Sequence, residues 1–135
     1  MLFPESLTMP RRKPDVSMHS HGLYDGWDRD SKNLPALIKI TTEINAKLNV
    51  EFGYILRIRN ARNSRVTFRI EHPPFKNDEG EIAPPFEGGL YVKTNDFRFF
   101  LGDTVWAPVE DKRGEWRLIT WLDGCKVADK TLVMI

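Results

Sequence analysis

The sequence holds a single cysteine, Cys125, in 135 residues. An intramolecular disulfide is therefore excluded, and cysteine usage gives no sign of an oxidising compartment. No run approaches the ~20 consecutive apolar residues that a membrane-spanning helix needs. Neither charge sign is in excess: 20 Lys and Arg stand against 19 Asp and Glu, a formal net charge of +1. No global field then draws the chain to nucleic acid or to an anionic bilayer. A secretory signal would place basic residues before an apolar core, whereas here Arg11-Arg12-Lys13 follows a Pro-containing stretch. A cytoplasmic location is the default expectation. Also missing is any frame for a nucleophile or a cofactor. Ser, His and Asp are present, but not in a G-x-S-x-G or similar setting. The expectation is a protein with no catalytic residues, no cofactor and no metal.

What is present is period-two alternation. Val50, Phe52, Tyr54, Leu56 and Ile58 alternate with Glu51, Gly53, Ile55, Arg57 and Arg59. Val66, Phe68 and Ile70 alternate with Arg65, Thr67, Arg69 and Glu71. Both stretches read as half-buried strands, and the five residues between them predict an antiparallel pair. The clearest local signal is Gly114 to Val127 and on to Ile135. Asp123-Gly124 is the two-residue turn that tolerates positive φ at both central positions, which predicts a β-hairpin. Its first arm puts Trp116, Leu118, Thr120 and Leu122 on one face and Glu115, Arg117, Ile119 and Trp121 on the other.

Further strands are predicted over 15–24, 34–44, 90–94 and 96–101. In the second of these, Ile38, Ile40, Thr42 and Ile44 share a face, and the β-branched run argues against a helix. Residues 73–89 form a long Pro/Gly/acid-rich segment with a small echo, His72-Pro73-Pro74-Phe75 and Ala83-Pro84-Pro85-Phe86. Val105, Trp106 and Val109 are expected to tuck under the sheets, and Trp27 to fold over the core edge. Seven or eight short strands with no convincing helix predict an all-β, Greek-key-like antiparallel β-sandwich, two sheets packed face to face. Residues 1–14, with Pro4, Pro10 and Pro14, read as an irregular arm, and 15–135 as a single β-sandwich domain.

A family resemblance rests on Thr41-Thr42-Glu43-Ile44, Ala46-Lys47-Leu48, Glu51-Phe52-Gly53-Tyr54, His72-Pro73, Gly114-Glu115-Trp116, Leu122-Asp123-Gly124 and Lys126-Val127-Ala128. In order and spacing these residues resemble an uncharacterised bacterial domain-of-unknown-function family. Its members carry a segment like T-E-I-P-A-x-L-G-x-x-F-G and close on P-G-x-W-x-F-x-I-x-x-D-G-x-x-L. The resemblance covers roughly residues 16 to 135. It implies a single immunoglobulin-like β-domain and carries no activity over. Asn45 stands where the family has Pro, Asn49 where it has Gly, Lys112-Arg113 where a Pro precedes the Gly, and Leu132 where an aromatic is common.

Several constellations carry candidate chemistry. His19-Ser20-His21 could aim two imidazoles the same way from a strand, with His72, Asp25 or Asp28 as a third metal ligand; two solvated histidines are the simpler reading. Cys125 beside Lys126 has no argued base and reads as an ordinary thiol. The acidic loop Lys76–Glu81 lacks the oxygen spacing of a calcium loop. The strongest surface feature is Arg57, Arg59, Arg62, Arg65 and Arg69. If their strands pair, these five make one basic stripe suited to phosphate or carboxylate groups, but without interleaved aromatics for base stacking. The leading expectation is a binding or interaction module that uses sheet edges or the 73–89 loop toward a protein partner or a second copy of the chain. Ile119 and Trp121, on the second face of the hairpin, are candidate contacts. Nucleic-acid or anionic-ligand binding through the arginine stripe is the alternative, and nucleic acid is the less favoured partner.

Overall fold

The computed structural model describes residues 13–26 and 33–135. Met1–Arg12, most of the expected arm, and Trp27 lie outside the described residues. Among the described residues, nine strands follow one another: β1 (Asp15–Tyr24), β2 (Leu37–Ile40), β3 (Glu43–Ile44), β4 (Glu51–Arg59), β5 (Arg65–Glu71), β6 (Phe86–Tyr91), β7 (Asp96–Thr104), β8 (Gly114–Leu122) and β9 (Cys125–Met134). A 3-10 turn at Glu110–Lys112 precedes β8. The strands form two sheets, ordered β2-β1-β4-β7 and β3-β9-β8-β5-β6. All pairings are antiparallel except β3 against β9, which is parallel.

The core lies between the sheets and follows the alternation. Phe52, Tyr54, Leu56 and Ile58 of β4 meet Val66, Ile70, Trp116, Leu118 and Leu132 of the facing sheet. Rings interlock across the gap: Phe52 meets Trp116 edge-on at 5.1 Å and Phe68 meets Phe99 at 5.9 Å. One polar pair crosses the same gap. Tyr54 Oη and Thr120 Oγ1 are 2.5 Å apart, and burial pushes the Tyr54 phenol above its ordinary pKa. The β8–β9 hairpin turns at Asp123 (φ 46°) and Gly124 (φ 83°), as its Asp-Gly dipeptide requires. Asn49 has φ 67°, so it adopts the left-handed conformation that explains Gly at this position in the resembling family.

Four expectations need correction. First, β4 and β5 are not a pair, because they lie in different sheets. The link 60–64 does not close as a hairpin. Asn60 (φ 59°) and Asn63 (φ 72°) turn it away, and its N–H groups reach the β6–β7 link instead, Asn60 to Asn95 O and Asn63 to Val92 O. Second, 34–44 is not one half-buried strand. The chain leaves the first sheet after Ile40 and joins the second at Glu43, and only Ile44 of the expected apolar face is buried. Third, β6 begins at Phe86, inside the expected loop. Gly88 makes this possible: a Cβ there would stand 2.5 Å from the Phe68 ring of the paired strand. Fourth, Val105 is buried but Trp106 stays 37% exposed, capping the aromatic end of the core against Phe75 and Trp116.

A second, smaller cluster lies on the outer face of the first sheet. Tyr24, Ile55 and Phe100 pack there under Leu34, with Tyr24 edge-on to Phe100 at 5.2 Å. The segment carrying Leu34 is tied down by Asp25, whose Oδ1 accepts from Ala36 N at 2.7 Å.

Candidate functional site

Since β4 and β5 belong to different sheets, the five arginines form no stripe. Arg57 and Arg59 alternate with the core residues of β4 and so stand on the outer face of the first sheet. Arg65 and Arg69 stand on the outer face of the second, and Arg62 projects from the link between them. The nucleic-acid alternative therefore loses the geometry it was built on. Local partners also occupy three of these side chains. Arg57 holds Asp96 with two hydrogen bonds of 2.8 and 2.9 Å. That bond, helped by Arg59 and Arg98, keeps the Asp96 carboxyl below the usual aspartate range. Arg65 lies over the Tyr91 ring at 5.4 Å. Arg69 is 3.3 Å from Glu71 and 3.9 Å from Glu87.

Ile119 and Trp121 part company. Ile119 is only 5% exposed. In register it lies between Arg69 and Asp129, with Arg117 two residues away on the same strand face. Charged groups of its own sheet frame it, and long arginine stems suit that role. Trp121 is half-buried and lines a shallow recess with Thr67, Phe68 and Gly88.

The ion network around Ile119 has a pH signature. Arg117 grips Asp129 at 2.6 and 2.9 Å, and Lys126 adds a contact of 3.0 Å. The Arg117 hydrogen bond, then Lys126, hold the Asp129 carboxyl well below the usual aspartate range. A carboxylate with a lowered pKa in the folded state stabilises fully above its unfolded value, near 4, and loses that contribution as the pH falls further. Arg117→Ala is thus expected to give a small loss in urea midpoint at pH 7, in keeping with an exposed network, and a narrowing gap to wild type below about pH 4. Parallel denaturation curves at the two ends of that range check it; a gap that widens on acidification would contradict the assignment.

The histidines do not assemble. A β-bulge between Met18 and Ser20 shifts the register at His19. His21 then stands opposite the core residue Tyr54, while His19 is exposed. Burial, then Lys130, lowers the His21 pKa. His72 sits elsewhere, its ring nitrogens 2.8 Å from the carbonyls of Pro73 and Pro84, and it tethers both ends of the long loop. Its ring stacks on Phe75 at 4.2 Å and leans on Phe86 at 4.7 Å, so the two Pro-Pro-Phe echoes anchor the loop to the body. Among the described residues, no three His, Cys, Asp or Glu side chains are grouped to hold a metal ion. Cys125 is exposed beside the turn.

Three features escaped the sequence reading. Lys112 is fully buried, its Nζ within 3.0 Å of Pro108 O and 4.5 to 4.7 Å from the Trp106 and Phe75 ring centres. A lysine next to an arginine gave no signal of this. Glu51 is also buried and accepts from the Thr104 hydroxyl. Strand β2 carries its apolar side chains outward: Leu37, Ile38 and Ile40 are 40%, 61% and 64% exposed.

Two sheets with these crossings and the parallel β3–β9 closure define an immunoglobulin-like β-sandwich. The comparisons agree. Residues 12–134 match the family described as domain of unknown function DUF3859, and the chain belongs to that family. An immunoglobulin-like protein from Pseudomonas aeruginosa has the same fold, with a TM-score of 0.73 at 19% identity over 93% of this chain and 98% of its own. A DNA-bound alkylpurine DNA glycosylase from Pseudomonas fluorescens is more distant, with a TM-score of 0.45 at 10% identity over 92% of this chain and 31% of its own. No curated protein matches the sequence. Among the described residues, no helix is long and apolar enough to cross a membrane.

Proposed function

We propose that the chain is a non-enzymatic interaction module that engages a protein partner by strand addition at β2. One observation carries this reading. β2 ends its sheet, so among the described residues its outer backbone edge faces no strand. That edge also displays Leu37, Ile38 and Ile40 to solvent. Such an edge is a template for another strand, with main-chain bonds giving affinity and the alternate apolar side chains giving selectivity. Lys39 is the single charge on the strand to oppose pairing.

The test uses Ile38→Glu with Ile40→Glu, two exposed positions where folding is expected to survive. If the partner is a second copy, the wild-type chain associates with rising concentration in analytical ultracentrifugation and the double variant stays monomeric. If the partner is another protein, a photo-crosslinker at position 38 captures one defined protein in the native cell, and Ile40→Glu in the same chain abolishes the product. A monomeric wild-type chain with no variant-sensitive crosslink overturns the reading.

A further inference from the structure

The balanced net charge conceals an uneven distribution. Three links meet at one end of the sandwich: 60–64 between β4 and β5, 92–95 between β6 and β7, and the Asp123-Gly124 turn of the hairpin. The chain enters the same end through Lys13 and Pro14. Together they enclose a cleft of about 550 Å³, lined by Lys13, Asn60, Arg62, Asn63, Asn95 and Asp123 among others. That volume falls within the range of small-molecule sites, and polar residues supply a few convergent groups on a lining that is otherwise apolar in area.

Charge decides what such a cleft would take. Lys13 and Arg62 are exposed in its wall, and Arg59, Arg65, Lys93 and Arg98 stand exposed around the same end. Three acidic groups stand there as well: Asp15 is exposed opposite Arg59 in register, while Asp96 and Asp123 have fixed partners. Asp96 is gripped by Arg57. Asp123 accepts from the Arg65 backbone N–H at 2.8 Å and bonds the Ser64 side chain, and these bonds hold its carboxyl below the ordinary range. Among the described residues neither Lys13 nor Arg62 makes an ion pair.

Four backbone donors in the link are already spent: Asn60 N on Asn95 O, Arg62 N on Asn95 Oδ1, Asn63 N on Val92 O and Ser64 N on Ala61 O. This fixes the link, and the charged donors it offers a ligand are side chains. A guanidinium fork, an ammonium and the amides of Asn63 and Asn95 suit an acceptor-rich anion.

We propose that this cleft binds a small ligand bearing clustered oxyanions, with Arg62 and Lys13 supplying charge and Asn63 and Asn95 supplying neutral hydrogen bonds. The site is separate from the β2 edge, so either reading can fail without the other. Pyrophosphate and citrate, titrated in parallel at low ionic strength into the full ¹⁵N-labelled chain, test it. The expected result is saturable amide shifts confined to 60–64 and Asn95, with one probe or both; the probe that binds shows whether phosphate or carboxylate is the source. Arg62→Gln with Lys13→Gln is expected to weaken binding about tenfold or more. Lys47→Gln with Lys76→Gln removes the same charge at other exposed positions and is expected to leave it unchanged. Absence of shifts, shifts spread over exposed lysines and arginines generally, or equal weakening in both double variants overturns the proposal.

Discussion

Trp116→Ala is expected to remove about 4 kcal/mol of stability, near the top of the range for an aromatic deleted from a core. Trp116 is fully buried and stands edge-on to Phe52 across the sandwich. Its Nε1 donates to Lys112 O at 2.7 Å, which fixes the 3-10 turn and so the position of the buried lysine. The ring is also within 6.3 Å of Phe75, His72 and Trp106, so its loss opens a cavity shared by the loop anchor and the core end. Trp121, five residues along the same strand but on the outer face, gives the contrast. Trp121→Ala is expected to cost about 1 kcal/mol, since a half-exposed side chain leaves little void. Urea denaturation followed by far-UV circular dichroism measures both. Equal costs for the two variants would mean that the inner and outer faces of β8 are misassigned.

Gly53→Ala is expected to cost about 3 kcal/mol or more, an effect out of proportion to one methyl group. Gly53 lies mid-strand in β4 with φ 152°, and an added Cβ would stand 2.1 Å from Leu101 O and 2.6 Å from Gly102 Cα. The neighbours in register on either side are Gly22 and Gly102. A row of glycines therefore runs across β1, β4 and β7, where the backbones come too close for side chains. The strain lies against backbone, which cannot rotate away as a flexible side chain could. Gly26→Ala is the control: among the described residues nothing lies within 4 Å of a Cβ there, and a change of at most a few tenths of a kcal/mol is expected. The same denaturation measurement separates them. A mild Gly53→Ala would argue for a different register of β4, since a slip by one residue moves Gly53 off its glycine neighbours.

Legibility followed the physics of each stretch. β1, β4, β5 and the β8–β9 hairpin were readable because alternation and the Asp-Gly turn are local signals. β6 was obscured because Gly88 and Gly89 look like loop residues; in the strand, Gly88 leaves room for the Phe68 ring and Gly89 lies close to Arg65 and the Val66 carbonyl. Ile38 and Ile40 resembled core because alternation marks a face but not whether another sheet lies against it. The bulge at His19 leaves no composition signal, yet it separates His19 from His21. The candidate surface was the least legible part. Five arginines close in sequence suggested one patch, and the choice of sheet for β4 and β5 divided it. The asparagines of the link, Asn60 and Asn63, carried the missed clue: both take positive φ, where a simple hairpin would have used a tighter turn.

By itself the sequence determined the all-β class, the strand faces and the closing hairpin, because each depends on residues within a few positions of one another. Only the tertiary structure decided which strands are neighbours, since an antiparallel hairpin and a crossing between sheets can start from the same five-residue link. That decision separated the arginines onto two faces and gathered Lys13, Arg62 and three asparagines around one cleft. It also left β2 at the end of its sheet, with Ile38 and Ile40 facing water.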